Sequence, residues 1–294
     1  MKLYAPAYYK KFSCIADKCR HSCCIGWEID VDPKTLKKYK KLRDGAILAS
    51  VDTEGAPHFR LSEGERCPHL DERGLCRIIT AHGDGYLCDI CRLHPRFYHD
   101  TAKGREVGLG MACEEACRLI LSEDFTVQEI GKEKRRARRP RFDALVERER
   151  IYALLSDGSL SYSERLEKLA CEYGVSLKMN TSLFSSLEYM NGENRARFSA
   201  AFPLATFSET PKKLEKYLFR ALAYFVYRHV TAANSEDSLR MAVGFSLLTE
   251  RLLCSLALRE NALTLDAFAD VARTVSEELE YSEENTERIK LLFL

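Results

Sequence analysis

The 294-residue sequence lacks a long uninterrupted apolar run and carries almost no net charge. The nearest approach to a membrane span, residues 241–258, contains Glu250 and Arg251, so we expect no membrane helix. Residues 1–10 contain no apolar segment of the length that a secretory signal needs, which indicates a cytoplasmic protein. A net charge of +1 gives no overall field that would favour a membrane surface or nucleic acid as partner.

Glycine-rich nucleotide-binding fingerprints are also missing. The triplets at 83–85 and 108–110 do not follow clear hydrophobic strands, and we interpret both as turns. A doubly wound nucleotide-binding domain requires strands that alternate with helices, and the helix-rich C-terminal half does not show this alternation.

Cysteine, in contrast, is abundant and unevenly distributed. Ten of the twelve cysteines lie between residues 14 and 117. In chain order they form four groups: Cys14-x4-Cys19-x3-Cys23-Cys24, Cys67-x8-Cys76, Cys88-x2-Cys91 and Cys113-x3-Cys117. The other two, Cys171 and Cys254, lie alone in apolar, helix-like segments, where we expect buried side chains that behave as small hydrophobes. The clustered positions are Cys14, Cys19, Cys23, Cys24, Cys67, Cys76, Cys88, Cys91, Cys113 and Cys117.

A disulfide framework is not expected, because such frameworks belong to small secreted domains, whereas this chain is long and 46% hydrophobic. Close thiols in polar loops with glycine and proline are instead the arrangement that a metal needs. Only Cys88 and Cys91 have the spacing of a zinc knuckle. Thiolates in excess of four with few histidines favour a 4Fe–4S cluster, with zinc as the alternative.

Eight cysteines are therefore the candidate metal ligands, in one centre or more. Spacing leaves open which four bind directly. Arg92, His94 and Arg96 follow Cys91 and would offset the negative charge of a thiolate-bound cluster, so we assign Arg92 and Arg96 as cofactor-binding candidates; an ordinary cationic loop is the alternative. Cys113 is a further ligand or a lining residue, and Cys117 is expected to pack. The eight candidates are Cys14, Cys19, Cys23, Cys24, Cys67, Cys76, Cys88 and Cys91.

Four blocks of this sequence resemble the flagellin lysine-N-methylase family. They lie at 19–30, 67–76, 88–97 and 280–285, and the block at 88–97 is the most specific. A broader set of zinc- or iron-chelating proteins shares the cysteine pattern. The resemblance covers roughly the first 120 residues well. It implies an iron–sulfur protein that transfers a methyl group from S-adenosylmethionine to lysine side chains of flagellin.

The cysteine spacing limits the possible mechanisms of this methyl transfer. Radical S-adenosylmethionine enzymes use Cys-x3-Cys-x2-Cys, which this sequence does not contain. We therefore expect polar displacement, which needs a neutral lysine amine and hence desolvation or a base. The alternative function is a non-enzymatic zinc- or iron-binding module that mediates protein interaction. Candidate bases, chosen by proximity to the motifs, are Glu28, Asp30, Glu114 and Tyr281.

The predicted fold class is mainly α: a cysteine-rich, loop-rich, metal-binding N-terminal region with short β hairpins, followed by a C-terminal helical bundle. We place the domains at 1–130 and 131–294, because the run 132–141 has seven basic residues and one acidic residue and is typical of a solvated linker. A hairpin is expected from 96–101 and 105–109 around a Gly104 turn. Helices are predicted at 33–42, near 112, at 141–155, from 161 to 174, and at 210–230, 235–258, 264–279 and 282–293.

Overall fold

The computed structural model describes residues 1–42, 44–134, 144–177, 182–201, 204, 206–231 and 235–294. Most of the basic run at 132–141 lies outside the described residues. The chain forms two compact units. The helical unit comprises Met1–Phe12, Tyr98–Ala112 and Ala116–Leu294. The cysteine unit comprises Ser13–Phe97 and Cys113–Glu115.

The strands are short and form two sheets. They are β1 (Lys2–Pro6), β2 (Val51–Asp52), β3 (His58–Phe59), β4 (Arg96–Asp100), β5 (Arg105–Leu109) and β6 (Val127–Lys132). A four-stranded sheet has the order β4-β5-β1-β6, in which β1 is parallel to β5 and antiparallel to β6. In the cysteine unit, β2 and β3 form a two-stranded antiparallel sheet.

The predicted hairpin at 96–109 is confirmed, and its turn explains a glycine. The backbone N–H of Thr101 donates to the carbonyl of Gly104 at 2.7 Å. Gly104 has a φ of +154°, and a Cβ at this position would overlap the backbone carbonyl of Lys2 in β1. Glycine, which has no side chain, therefore lies at the point where β1 passes the hairpin turn.

The cysteine unit is built from short helices around a small core. Its helices are α1 (Pro33–Lys41), α2 (Gly45–Ala49), α3 (Arg77–His82) and α4 (Asp89–Leu93). Asp32 begins α1 as predicted, because its carboxylate accepts the backbone N–H groups of Lys34 and Thr35. The helix α2 and the strand β3 lie between α1 and the cysteine pair at 67–76. The core contains Ile29, Val31, Tyr39, Ile47, Val51, Phe59, Cys67, Ile78 and Cys88.

The helical unit contains the long helices. They are most of α5 (Glu114–Ser122), then α6 (Ala144–Leu155), α7 (Tyr162–Glu172), α8 (Ser182–Ser186), α9 (Gly192–Ala200), α10 (Lys212–His229), α11 (Glu236–Arg259), α12 (Leu265–Glu280) and α13 (Glu283–Leu291). A capping box begins α7, in which Ser161 and Glu164 bond reciprocally. Among the described helices, α11 has the length and composition of a membrane span, but it is mostly buried in its own unit, as in the core helix of a soluble protein.

A mainly α fold is thus confirmed. The contacts divide the chain differently from the predicted ranges 1–130 and 131–294, because β1 and β5 pair in one sheet with β6 and belong to the helical unit. The strands β1 and β6 and the helices α8 and α9 were not predicted. The predicted helix at 141–155 is described from Ala144 onward.

Candidate metal centre

Five of the predicted ligands come together in the cysteine unit. Cys67 and Cys88 lie in its hydrophobic core, and three partly buried cysteines pack against that core. Their thiols also influence one another's ionisation: Cys24, Cys76 and Cys88 all raise the pKa of Cys67. We call this set the core thiol group, which consists of Cys24, Cys67, Cys76, Cys88 and Cys91.

The local elements explain how the core thiol group is positioned. Cys76 and Cys88 are the residues from which α3 and α4 begin. An isolated bridge pairs Leu70 with Cys76, and Gly74 takes the positive φ of +78° that the turn between them requires. This turn returns Cys76 toward Cys67.

Two pairs of thiols in this region share protons. A hydrogen bond from Cys91 lowers the pKa of Cys88, and the same bond raises that of Cys91. Cys24 and Cys23 behave alike: their hydrogen bond lowers the pKa of Cys24 to about 7 and raises that of Cys23. The first proton of each pair thus leaves readily, whereas the second is held until a cation replaces it.

Burial acts on the remaining core thiols. Desolvation raises the pKa of Cys67 to about 12 and also raises that of Cys76. A buried thiolate is costly unless a positive charge neutralises it, and bound metal supplies such a charge. In the absence of a cation, these two side chains are therefore neutral thiols near pH 7.

The other predicted ligands form a second, more exposed set. Charges on Cys14 and Cys113 influence the ionisation of Cys23, and Cys14 influences that of Cys19. We call Cys14, Cys19, Cys23 and Cys113 the outer thiol group. Cys113 was predicted as a ligand or lining residue, and it precedes α5 rather than lying in it.

Glu114, a predicted base, holds the loop of the outer thiol group. Its carboxylate accepts the backbone N–H groups of Arg20 and His21 at 2.9 and 3.2 Å, and Cys19 Sγ lies 3.7 Å away. Burial would raise the pKa of Glu114, but these hydrogen bonds and the charge of Arg20 lower it. The carboxylate is therefore an ionised structural anchor, which makes it a poor proton acceptor.

The cysteine thiols are the kind of ligand that a soft metal prefers, but they are not arranged as a coordination shell. None of the twelve cysteines, each of which the structure describes, is in a disulfide. Across the described ranges, no group of three or more Cys, His, Asp or Glu side chains is placed so that it could hold a metal ion. Converging, partly buried thiols are nevertheless the ligands that iron–sulfur clusters and zinc prefer. The eight predicted ligands and the cluster therefore stay predictions.

The basic residues after Cys91 contact their own segment. Arg92 donates to Asp89 at 2.6 Å, and Arg96 donates to the carbonyl of His94 at 3.5 Å. Burial, with a smaller contribution from the Arg96 charge, lowers the pKa of His94 to about 4, so this imidazole is neutral near pH 7. The role of Arg92 and Arg96 in cofactor binding is untested by these contacts and stays a prediction.

The remaining predicted residues have diverse settings. Glu28 and Asp30 are exposed, whereas Tyr281 lies in the helical unit with the Arg228 guanidinium 4.9 Å from its ring centroid. Cys117 packs as predicted, because it is buried and its thiol donates to the carbonyl of Ala269. Cys254 is buried as expected, but the same expectation for Cys171 is wrong: this residue lies on the exposed face of α7.

Sequence reasoning missed a buried polar cluster at the block 280–285. Glu280 accepts hydrogen bonds from Ser276 at 2.5 Å and Tyr224 at 3.0 Å, and it pairs with His229 at 2.7 Å. Burial would raise the pKa of Glu280, but Arg228 and His229 lower it, so the carboxylate is ionised. The alternation of charged residues with apolar ones in α10 and α12 gave no local signal of this pairing.

Asn285, in the same block, connects distant segments of the helical unit. It is fully buried; its amide donates to the carbonyls of Glu188 and Glu278 at 2.7 and 2.8 Å, and its side-chain oxygen accepts from the N–H of Glu188. The side chain of Ser282 caps α13 by accepting the N–H of Asn285. The block 280–285 therefore stabilises the fold of its own unit.

Comparison with known proteins gives three informative relatives. The chain is 34% identical over 128 residues to a lysine-N-methylase of Salmonella choleraesuis and 33% identical over 132 residues to one of Salmonella typhimurium; each match covers 40% of this chain and 32% of the relative. It is 29% identical over 159 residues to the flagellar biosynthetic protein FliU of Salmonella muenchen, covering 51% of this chain and 94% of that protein.

The matches thus span about a third of the two lysine-N-methylases. No family model matches the chain. No solved structure matches it either. The similarity to these named proteins confirms the resemblance to the flagellin lysine-N-methylase family that the cysteine motifs indicate.

Proposed function

We propose that this chain is a cytoplasmic, S-adenosylmethionine-dependent protein-lysine N-methyltransferase that acts on flagellin and depends on an iron–sulfur cluster. The observation that carries the proposal is that five cysteines pack in or against one core of the cysteine unit, in a chain similar to lysine-N-methylases. The flagellar name of a third relative supports flagellin as the substrate.

The core thiol group would hold the cluster. Two of its members, Cys24 and Cys88, each have a hydrogen-bonded thiol neighbour that lowers their pKa, so these two would become thiolates first, and the metal charge would drive ionisation of the others. When bound, a 4Fe–4S cluster would supply a charged centre that positions or electrostatically supports the cofactor. Zinc bound by the same thiols is the alternative.

Methyl transfer also demands a neutral amine on the substrate. A lysine side chain has a pKa near 10.4, so at pH 7 it must lose a proton by desolvation or to a base before it attacks the methyl carbon. Glu114 is committed to backbone N–H groups, which leaves the exposed carboxylates of Glu28 and Asp30 as the predicted bases within the cysteine unit. Substituting each one separately would identify which of them takes the proton.

The test compares two cysteines. Protein purified without air is analysed for iron and sulfide, and methyl incorporation into flagellin is measured with labelled S-adenosylmethionine. Cys88→Ser should lose both iron and methyl transfer, whereas Cys171→Ser, which changes an exposed thiol in the helical unit, should retain both. Iron binding and full activity in Cys88→Ser would exclude the proposed role of the core thiol group.

A second function has one specific observation in its favour. Cys67 and Cys88 are integral to the hydrophobic core of the cysteine unit, as expected when metal serves folding alone. The chain would then be a zinc- or iron-binding module for protein interaction. In that case metal analysis is positive, metal removal unfolds the cysteine unit, and no methyl transfer occurs with any flagellin tested.

A further inference from the structure

A small cavity adjoins the core thiol group inside the cysteine unit. It has a volume of about 190 Å³ and lies between α2, α3 and the turn that follows Cys67. Pro68 and His69 directly follow Cys67, and Arg77 directly follows Cys76, so the segments that carry two core thiols also carry the cavity wall. The cavity is lined by Asp44, Ala46, Ile47, Ser50, Pro68, His69, Arg77, Ile78 and Ala81.

The charges in this wall are of opposite sign. Asp44 is an anion whose carboxylate caps α2 and accepts from His82 at 2.9 Å, and its side chain remains 34% exposed. Arg77 is an exposed cation. A phosphate would be repelled by Asp44, and a lone ammonium would be repelled by Arg77. A ligand end that carries both charges meets a complementary partner at each.

The remaining wall is fixed and largely apolar. The hydroxyl of Ser50 donates to the carbonyl of Ile47 at 2.7 Å and therefore accepts from His69 Nε2 at 2.9 Å. The His69 ring also packs edge-on against Phe59, with ring centroids 4.8 Å apart. The polar side chains of the cavity floor are thus already oriented, and Pro68 and four aliphatic residues (Ala46, Ile47, Ile78 and Ala81) complete the lining.

The size of the cavity limits the ligand further. Pockets that enclose a whole drug-sized ligand measure about 300–1,000 Å³. At about 190 Å³, this cavity is below that range, which suits one end of a larger molecule or one small molecule.

We propose that the cavity binds the α-amino-carboxylate end of a small molecule, with the ligand carboxylate on Arg77 and the ligand ammonium on Asp44. The ligand's carbon chain then lies along the four aliphatic residues. The choice of ligand rests on the proposed function: it is the methionine end of S-adenosylmethionine, whose nucleoside remains outside the cavity. A free amino acid is the other source of the same chemistry.

Calorimetric titration of the full chain, purified without air, tests the site with three probes. S-adenosylhomocysteine carries the amino-acid end and the nucleoside, 5′-methylthioadenosine carries the nucleoside alone, and methionine carries the amino-acid end alone. The variants are Arg77→Ala and Asp44→Asn, the second of which retains a good helix cap. Arg73→Ala is the matched control, because Arg73 is exposed, pairs with Asp71 and lies outside the cavity.

Both cavity variants should weaken S-adenosylhomocysteine binding by about tenfold to a hundredfold, the cost of losing one charge-assisted hydrogen bond. Their affinity for 5′-methylthioadenosine should match that of the unaltered protein, and Arg73→Ala should bind all probes normally. Thermal melting checks that each variant is folded.

Three results distinguish the cavity assignment from the cofactor assignment and from the proposed function. Equal binding of S-adenosylhomocysteine by the unaltered protein and both variants overturns the cavity assignment and leaves the methyltransferase proposal intact. Binding of methionine that both variants lose, without binding of either nucleoside probe, supports the cavity and removes the cofactor assignment. If the unaltered protein binds neither S-adenosylhomocysteine nor methionine, the cavity assignment is overturned. The flagellin methylation assay then decides the proposed function independently.

Discussion

The two units of this chain are stabilised in different ways. The helical unit has helices of 16 to 24 residues in α10 to α12, and buried ion pairs such as Arg251–Glu250 and His229–Glu280 lie among them. The cysteine unit has helices of five to nine residues, and two of the nine buried residues in its core cluster are cysteines. Because a small unit buries little apolar surface, it depends more on an additional stabilising element.

The two units also differ in how their buried ionisable groups are neutralised. In the helical unit, Arg148 makes two hydrogen bonds of 2.7 Å to the Glu106 carboxylate, and both side chains are buried. In the cysteine unit, desolvation raises the pKa of Cys67 and of Cys76, so these two thiols stay protonated unless a cation is present. The helical unit therefore contains its own counter-charges, and the cysteine unit would obtain them from a metal.

Metal removal should produce the largest difference between the units. Chelation under anaerobic, reducing conditions should abolish amide hydrogen-exchange protection in 13–97, since structural metal contributes about 10–16 kcal/mol in small metal-binding domains. Protection in α10 to α12 should remain. Hydrogen exchange with mass spectrometry measures both; unchanged protection in 13–97 would show that the cysteine unit is stable without metal.

Breaking the buried ion pair should affect the helical unit instead. Arg148→Ala leaves the Glu106 carboxylate buried without its counter-charge and should lower the free energy of unfolding by about 3–5 kcal/mol. Urea denaturation measures the change. Arg150→Ala, which removes an exposed pair with Glu147, should cost no more than about 1 kcal/mol. Similar losses in the two variants would contradict the assignment of the buried pair.

A histidine of the helical unit should make stability depend on pH. Burial, followed by the charge of Arg148, lowers the pKa of His99 from 6.5 to about 3. Because the unfolded state takes up the proton first, stability is lost as the pH falls from 6.5 towards 3. Between pH 7 and pH 5 the unaltered protein should lose about 1–2 kcal/mol more than His99→Gln in urea denaturation. Equal losses would show that His99 ionises normally.

Helix capping should give the smallest effect. Ser161→Ala removes the hydroxyl that accepts the N–H of Glu164 at the start of α7, and should cost about 1 kcal/mol of unfolding free energy. Ser161→Thr preserves the acceptor and should be close to neutral. A denaturation curve for each variant, at fixed pH and salt, measures the difference; an equal loss in both would mean that packing, not capping, matters at this position.

Local patterns predicted the longer helices of this fold. The caps at Asp32, Ser161, Thr264 and Ser282 all begin helices, because a side-chain acceptor followed by a periodic apolar stripe depends only on neighbouring residues. The position of β1 depends on pairing with strands about 100 and 125 residues away, and no local pattern encodes such pairing.

The sequence indicated which cysteines lie in the cysteine unit, but not how they are grouped there. Spacing selected the cysteines that converge in the cysteine unit, but it could not divide them into the core and outer thiol groups or place Cys113 with the latter. The ion pairs of Glu280 and Arg148 join separate elements, so their partners are visible only in three dimensions. Cys171 was misjudged because an apolar helix also has an exposed face.

The central place of β1 in the sheet has a practical consequence for expressing parts of this protein. A fragment that starts at Ser13 would lack this strand and leave β5 and β6 as two open edges, which favour aggregation. A cut near residue 131 would fall at the end of β6 and separate β1 and β5 from the helices that complete their unit. Any shortened version meant to retain the helices therefore needs residues 2–6 supplied with it, on the same chain or as a separate peptide.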